Sequence, residues 1–435
     1  MGRPGNRHFL RTGRQKTTSR PENRRFLRTG RQKTMGIRNI IAESVELLKD
    51  MVAIKSPSFE EAEVCSHISS WMTQKGILHR RSGNNIIAEH ITEAEKPVLM
   101  LCAHIDTVSP SPDYSFDPYN PDYEKAAEVI SSILERPVKP DEIVAGLGSN
   151  DDGASVVTMI AAYRYFTEMH IGSSDSTKNS PDITLEYPDR TLKYPDSTLE
   201  SVEKHPNLIL VLTCEDERSG KNGMTGLWPE LSKKVTHAII GEPTGMKCAT
   251  SERGLLVIDA EVYGKSGHAA RNEGTNALYI ALEDIEKLRK HQFTKISPRM
   301  GKVNLNVTQI NAGTAHNVIP DRCTFVIDIR PTEQYTNEEI LEELQSICRS
   351  TLKPRNLLNR SSATYEHSQL QRAVEELGIE TFSSPTTSDW MRVGCDAIKM
   401  GPGESQRSHR KDEFVTIEEI EKGINTIINT ITIFN

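Results

Sequence analysis

Seven cysteines are spread over 435 residues, and no two of them stand in a CxxC pair. An odd, dispersed set argues against a disulfide framework or a thiolate zinc knuckle and for a reducing compartment, read here as the cytoplasm. Cys102 and Cys214 sit inside apolar runs and are expected to be small core residues. Long hydrophobic runs are missing as well. Nothing approaches the roughly 20 apolar residues of a membrane helix, so no membrane partner is expected. The chain opens on an Arg-rich stretch with no apolar segment behind it, which is not the pattern of a secretory signal. Phosphate-binding glycine loops and serine-nucleophile elbows are absent too. "GLGSNDDG" is neither, and no organic cofactor is expected.

What is present is a globular composition, long enough for two or three domains, with unevenly placed charge. The first 34 residues hold eleven Lys or Arg against one acid, so with a formal net charge of -7 the remainder carries -17. An acidic body is a poor general binder of nucleic acid, and no such partner is expected. The basic start is repetitive: "NRHFLRTGRQKT" (6–17) returns as "NRRFLRTGRQKT" (23–34), with Met35 directly after it. Two copies of a short basic tract cannot bury enough apolar surface to fold. Residues 1–34 are therefore expected to be a disordered extension, read as sequence translated upstream of a true start at Met35. A nucleic-acid arm or a transit peptide is the competing reading.

From Met35 onward, helical and strand patterns alternate. Helices are expected around 38–54, 60–75 and 154–166, and strands around 85–90, 97–106, 207–214 and 238–241. That rhythm belongs to an α/β fold with a central, mostly parallel sheet flanked by helices. Two stretches interrupt it, 113–142 and a polar, low-complexity insert at 171–205 that reads as a mobile surface loop. From about Arg253 the order becomes β-α-β-β-α-β, a ferredoxin-like α+β unit, with "ATYEHS" as its last strand. The expected division is 1–34, a catalytic domain of 35–249 with 367–435, and an inserted domain of 250–366.

The chemistry gathers at strand ends. "LMLCAHIDTV" is an apolar run that stops at His104 and Asp106, two residues apart and therefore on one side of an extended chain. Asp151 and Asp152 lie in the glycine-rich turn of "GLGSNDDGAS". "LILVLTCEDERSG" ends in Glu215, Asp216 and Glu217, "HAIIGEPTG" in Glu242, and "IKMGPGESQRSHRKDEF" leads to His409. Open α/β sheets form their sites outside the carboxyl ends of the strands. Two histidines and several carboxylates gathered there, with no thiolate, suit a two-metal centre in which one carboxylate bridges. Gathered without cations, so many acids would repel one another at a cost of several kcal/mol. In that setting His104 is a ligand and Asp106 hydrogen-bonds its other ring nitrogen.

From about Met35 to the C-terminus these motifs, in this order, resemble the zinc-dependent M20 aminoacylase and peptidase family. The resemblance implies metal-assisted hydrolysis of a linear amide, with two zinc ions for which cobalt may substitute. His104 and Glu242 are similar to the terminal ligands of one zinc, Glu217 and His409 to those of the other, and Asp151 to the bridge. Asp106 matches the orienting acid. The inserted domain resembles the family's lid, which also forms a homodimer, and His268 in "GKSGHAAR" matches a histidine that reaches across it to the scissile carbonyl. Arg253, Asn317, Arg330 and Thr387 match substrate-gripping positions. "IIGEPTG" and "GPGESQRSHRKDEF" are most similar to the acetylornithine deacetylase branch, which implies a small N-acyl amino acid substrate and a place in arginine biosynthesis. A dipeptidase or carboxypeptidase, or a succinyl-diaminopimelate desuccinylase, is the alternative. The chain departs from the family twice. It reads Glu215-Asp216-Glu217 where the family has Asp-Glu-Glu, which leaves Asp216 in register with the general base and Glu215 as the alternative. "DDGAS" stands where many relatives have "DMKGG".

Overall fold

The computed structural model describes residues 22–171, 185–187, 190–192, 205–271 and 273–434. Its centre is the apolar strand Val98–His104, flanked in parallel by Asn207–Thr213 and His237–Ile240. Asp396–Lys399 extends the parallel block beyond His237–Ile240. Strands covered on both faces read as continuous apolar runs, and every residue from Leu99 to His104 and from Asn207 to Thr213 is buried. Antiparallel strands close the edges: Asn85–His90 then Arg80–Ser82 on one side, Cys248–Glu252 then Ser362–Ala363 on the other. Thr381–Ser384 also pairs, in parallel, with Cys248–Glu252. The nine-stranded sheet is therefore mixed, with a parallel centre.

Helices cover both faces. Glu22–Val52, Ala62–Gln74, Ala154–Ile171 and Ile417–Phe434 lie over one face around a core that includes Leu48, Ile68, Phe166 and Ile424. Met224–Leu231 and the buried Trp390 fill the other face. All seven cysteines are free, and Cys102 and Cys214 are buried.

A second, antiparallel sheet of four strands runs in the order Asn304–Ala312, Arg322–Arg330, Leu256–Tyr263, Thr351–Pro354. Helices Ala277–Lys290 and Asn337–Ile347 pack on it around a separate core. Their starts are set locally. Asn276 accepts from Leu278 N, and Thr336 with Glu339 forms a capping box. The β-α-β-β-α-β order is present, but its last strand is Thr351–Pro354, not "ATYEHS". Four residues with only Leu352 fully buried carry too little periodicity to be seen in sequence. Ser362–Ala363 belongs to the large sheet instead. The chain thus changes sheets between Glu252 and Leu256 and between Pro354 and Ser362, inside the limits 250–366.

Two interruptions and the basic start also differ from expectation or escape description. Segment 113–142 contains the helix Tyr123–Leu134, capped by Asp122, with its apolar side packed beside Phe116 and Phe414. The first helix reaches back to Glu22, so the second basic repeat has helical backbone where a disordered tract was expected. "RRFLRTGRQK" consists largely of helix-forming residues and runs without proline into the amphipathic turns beyond Arg38. The polar insert lies outside the described residues, apart from two short paired strands at Leu185–Tyr187 and Arg190–Leu192. Residues 1–21 lie outside them as well.

Candidate metal centre

The parallel strands end side by side, and their carboxyl ends carry the titratable groups. His104 closes its strand, Glu215 to Glu217 follow Thr213, and Glu242 follows Ile240. Asp151 sits in the turn before helix Ala154–Ile171, and His409 in the loop after Lys399. His104 Nε2 is 3.3 Å from Asp151 Oδ1. His409 Nε2 is 3.6 Å from Asp151 Oδ2 and 2.9 Å from Glu217 Oε1. Each oxygen of Asp151 therefore faces a different imidazole. Two groups, His104–Asp151–Glu217 and His104–Asp216–Glu242, each bring their N and O atoms within 4.8 Å of one another.

Charge in the cluster is unbalanced. Burial, then the charge of Asp389, pushes the Asp216 carboxyl well above its ordinary range. Burial, then Asp151, does the same to Glu242. Burial opposes charging His104, but the carboxylates of Asp106 and Asp151 raise it well above the usual imidazole value. The hydrogen bond that His409 donates to Glu217 leads the causes that push its imidazole up to about 9. Asp216 Oδ1 is buried without a hydrogen-bond partner, as expected of an atom whose partner is not protein. A donor set of imidazole nitrogens and carboxylate oxygens, with one carboxylate between two histidines, fits a pair of zinc-like cations.

Neighbouring residues hold this geometry. Asp106 faces His104 Nδ1, which lies 2.9 Å from its carbonyl and 3.4 Å from its carboxylate, leaving Nε2 turned toward Asp151. The same carboxylate accepts from Ser58 Oγ at 2.7 Å and from the backbone of Asp216 and Glu217 at 3.1 and 3.2 Å. One acid thus orients both the histidine and the turn opposite. Glu413 Oε1 accepts from Gly148 N, Asn150 N and Asp151 N at 2.9–3.1 Å, fixing the turn that carries Asp151. In that turn Gly148 has φ +78°, and a Cβ there would meet Thr107 Cγ2 at 2.6 Å. Asp152 accepts from His104 N at 3.2 Å.

Other residues singled out in the sequence stand elsewhere. Glu215 turns its carboxylate to Asn222, accepting from its N at 3.0 Å and its Nδ2 at 2.6 Å. Arg253 donates to the carbonyls of Met300, Lys302 and Arg330, and Arg330 forks onto Asp328. His268 and Asn317 are exposed on the smaller unit. Thr387 lies in the irregular turn after Ser384, next to Asp389. Sequence reasoning passed over Asp389, Glu413 and Ser58. Glu413 had a signal in the acid pair after His409, but a lone Asp in "TSDW" and a Ser 46 residues before His104 had none.

With this geometry in view, comparisons with known proteins agree. A model of the peptidase dimerisation domain matches residues 250–356, and one of peptidase family M28 matches 85–180. Acetylornithine deacetylase of Myxococcus xanthus is 28% identical over 233 residues, 49% of this chain and 61% of that enzyme, so the chain spans less than two thirds of its length. Succinyl-diaminopimelate desuccinylase of Xanthomonas campestris pv. campestris is 24% identical over 87% of this chain and 96% of its own. An M20-family metallo-carboxypeptidase from Sulfolobus solfataricus shares the fold at a TM-score of 0.66 and 14% identity, over 90% of this chain and 99% of that one. The smaller unit thus matches a peptidase dimerisation domain, and the chain shares its fold with an M20-family metallo-carboxypeptidase.

Proposed function

We propose that the chain is a metal-dependent amide hydrolase that removes the acyl group from an N-acyl amino acid, N-acetyl-ornithine first among them. The observation that carries this reading is the placement of Asp151 between His104 and His409, with Glu217 and Glu242 beside them. Two zinc ions, or cobalt in their place, would be held by His104, Asp151 and Glu242 and by Asp151, Glu217 and His409. They would supply Lewis acidity to water and carbonyl.

The residues of the chain then do the following. Asp216, beside His104 and Glu242, takes the proton of the attacking water on its carboxylate and returns it to the leaving amine nitrogen. Asp106 keeps the His104 ring and the Asp216–Glu217 backbone in register with each other. Thr387 meets the substrate at the rim. His268, exposed on the smaller unit, serves the acyl oxygen of a second copy in a homodimer formed through the 250–366 unit, as the family resemblance suggests. Arg253 and Arg330 could reach a substrate carboxylate only by giving up their present bonds.

The deciding assay is ornithine release from N-acetyl-L-ornithine by the full chain, with and without added zinc or cobalt. Metal-dependent release supports the reading. With two metals bound and no release, the same assay on N-succinyl-diaminopimelate and dipeptides decides the substrate. The desuccinylase belongs in that panel because its likeness runs over 96% of its length. Failure to bind any metal would overturn the reading.

A further inference from the structure

Outside the proposed ligand set, the large sheet buries a complete ion pair that the proposed chemistry does not use. Lys399 Nζ lies 2.9 Å from Glu252 Oε2, with the two side chains 1% and 0% exposed. Apolar residues of the same volume would serve the core as well or better, so such a pair is weak evidence of a purely stabilising role. Its remaining contacts show what it holds. Glu252 Oε2 also accepts from Ser388 Oγ at 2.7 Å, and Lys399 donates a second bond to the carbonyl of Thr386 at 3.1 Å. Both partners therefore grip residues 386–388, a turn outside any regular element. That turn carries Thr387 and leads to Asp389, whose Oδ2 accepts from Thr213 Oγ1 at 2.6 Å and whose carboxyl lies against Asp216. Glu252 is also the last residue of its strand. The next, Arg253, is fastened to Met300, Lys302 and Arg330 of the smaller unit.

We propose that the Glu252–Lys399 pair is a positioning device: it sets the 386–389 turn against the metal centre and ties that turn to the linker carrying the smaller unit. Its kinetic consequence rests on the hydrolase reading above, but its structural consequence does not. Among the described residues, Ser388 Oγ is the hydroxyl of the turn that bonds the pair, and it also accepts from Trp390 N at 3.3 Å, so removing it loosens the turn without leaving a buried charge unpaired.

The test uses the full chain as parent, Ser388→Ala, Ser388→Thr, and the double variant Glu252→Gln/Lys399→Met, which removes both charges together. Amide hydrogen exchange over 385–390, zinc content, and kcat and KM on whichever amide the parent hydrolyses are measured for each. Ser388→Ala is expected to speed exchange in the turn and lower kcat on the order of tenfold, as a shift of a fraction of an ångström at a reacting group does. Zinc content and KM should hold, and Ser388→Thr should restore both exchange and kcat. The double variant should speed exchange in the turn and in 253–256 together. Unchanged exchange in the turn overturns the proposal, as does faster exchange spread evenly over the large sheet. So does a loosened turn with unchanged kcat. If the parent hydrolyses nothing, the hydrolase reading fails by itself, and the exchange pattern still decides whether the pair holds the turn.

Discussion

Replacing Asp106 with Asn should weaken metal binding by one to two orders of magnitude. The carboxylate is fully buried. Its Oδ2 accepts from Ser58 Oγ and Glu217 N, and its Oδ1 accepts from Asp216 N with His104 Nδ1 3.4 Å away. An amide has one acceptor oxygen, so in either orientation its NH2 group faces two donors. Each hydrogen bond to a charged acceptor contributes about 1.5–3 kcal/mol, which makes the gross loss on the order of 3–6 kcal/mol. Removing the partner that orients a metal-ligating histidine typically costs 10–100-fold in affinity, about 1.4–2.8 kcal/mol of that sum. The rest should appear as a lower Tm of the metal-free protein. Zinc competition against a chromophoric chelator, run beside thermal unfolding, separates the two shares. Both metal equivalents should weaken, because Asp106 holds His104 on one side and the Glu217 backbone on the other. Affinities within twofold of the parent would refute the argument that this acid sets the geometry.

Three further perturbations address separate parts of the molecule. His409→Ala removes the proposed exposed ligand, which lies against Glu217 and Asp151, so cobalt titration should show one equivalent lost and one retained; loss of both would contradict the pairing. Gly153→Ala would place a Cβ 2.4 Å from the Gly148 carbonyl and 2.6 Å from Leu48 Cδ1. It should cost about 1–3 kcal/mol of stability by overpacking and lower zinc affinity through the Asp151 turn, and a neutral result in denaturant melts and chelator competition would count against that turn's rigidity. In the smaller unit, burial would raise the carboxyl of Asp284, but donors from Ser350 and Arg349 hold it below the ordinary range. A depressed acid stabilises above its unfolded value, near 3.9, and loses that effect as pH falls through its folded value. Asp284→Asn should therefore destabilise at pH 7 by about 1–3 kcal/mol, with the gap to the parent closing below about pH 4. Denaturant melts at pH 7 and pH 3 showing an equal gap would refute this.

Legibility from sequence followed the strength of local periodicity. "LMLCAH" and "LILVLT" could be placed because strands buried on both faces are continuously apolar, and the helix of 154–171 because it follows a glycine turn. The strand Thr351–Pro354 could not, since a four-residue edge with one buried side chain has no pattern of its own. The helix Tyr123–Leu134 was hidden in a proline-rich segment, although Asp122 stands at its start as a normal cap. At the site, His104, Asp151, Glu217, Glu242 and His409 could be chosen because each ends a strand or follows one in a turn. Their supports could not. Ser58 and Glu413 act from 48 and 262 residues away, and a hydrogen bond across that distance leaves no trace in spacing.

The Glu215-Asp216-Glu217 triplet shows where geometry goes beyond register. A longer glutamate at 215 could compensate in principle for a short aspartate at 216. Yet Glu215 has φ 62°, both of its oxygens are bonded to Asn222, and its own amide is held by Glu61. To reach the site it would have to break two hydrogen bonds to a carboxylate, about 3–6 kcal/mol in all, and reverse the turn that presents Glu217. Asp216 pays no such cost, since its carboxyl already lies beside His104 and Glu242. Asp216→Asn should then abolish turnover while zinc still binds, and Glu215→Gln, which keeps one acceptor for Asn222, should reduce kcat by less than tenfold (about 1.4 kcal/mol). Single-turnover hydrolysis by the two variants decides it: if Glu215→Gln is the dead enzyme and Asp216→Asn the active one, the proton passes through Glu215 and the turn must open during the reaction.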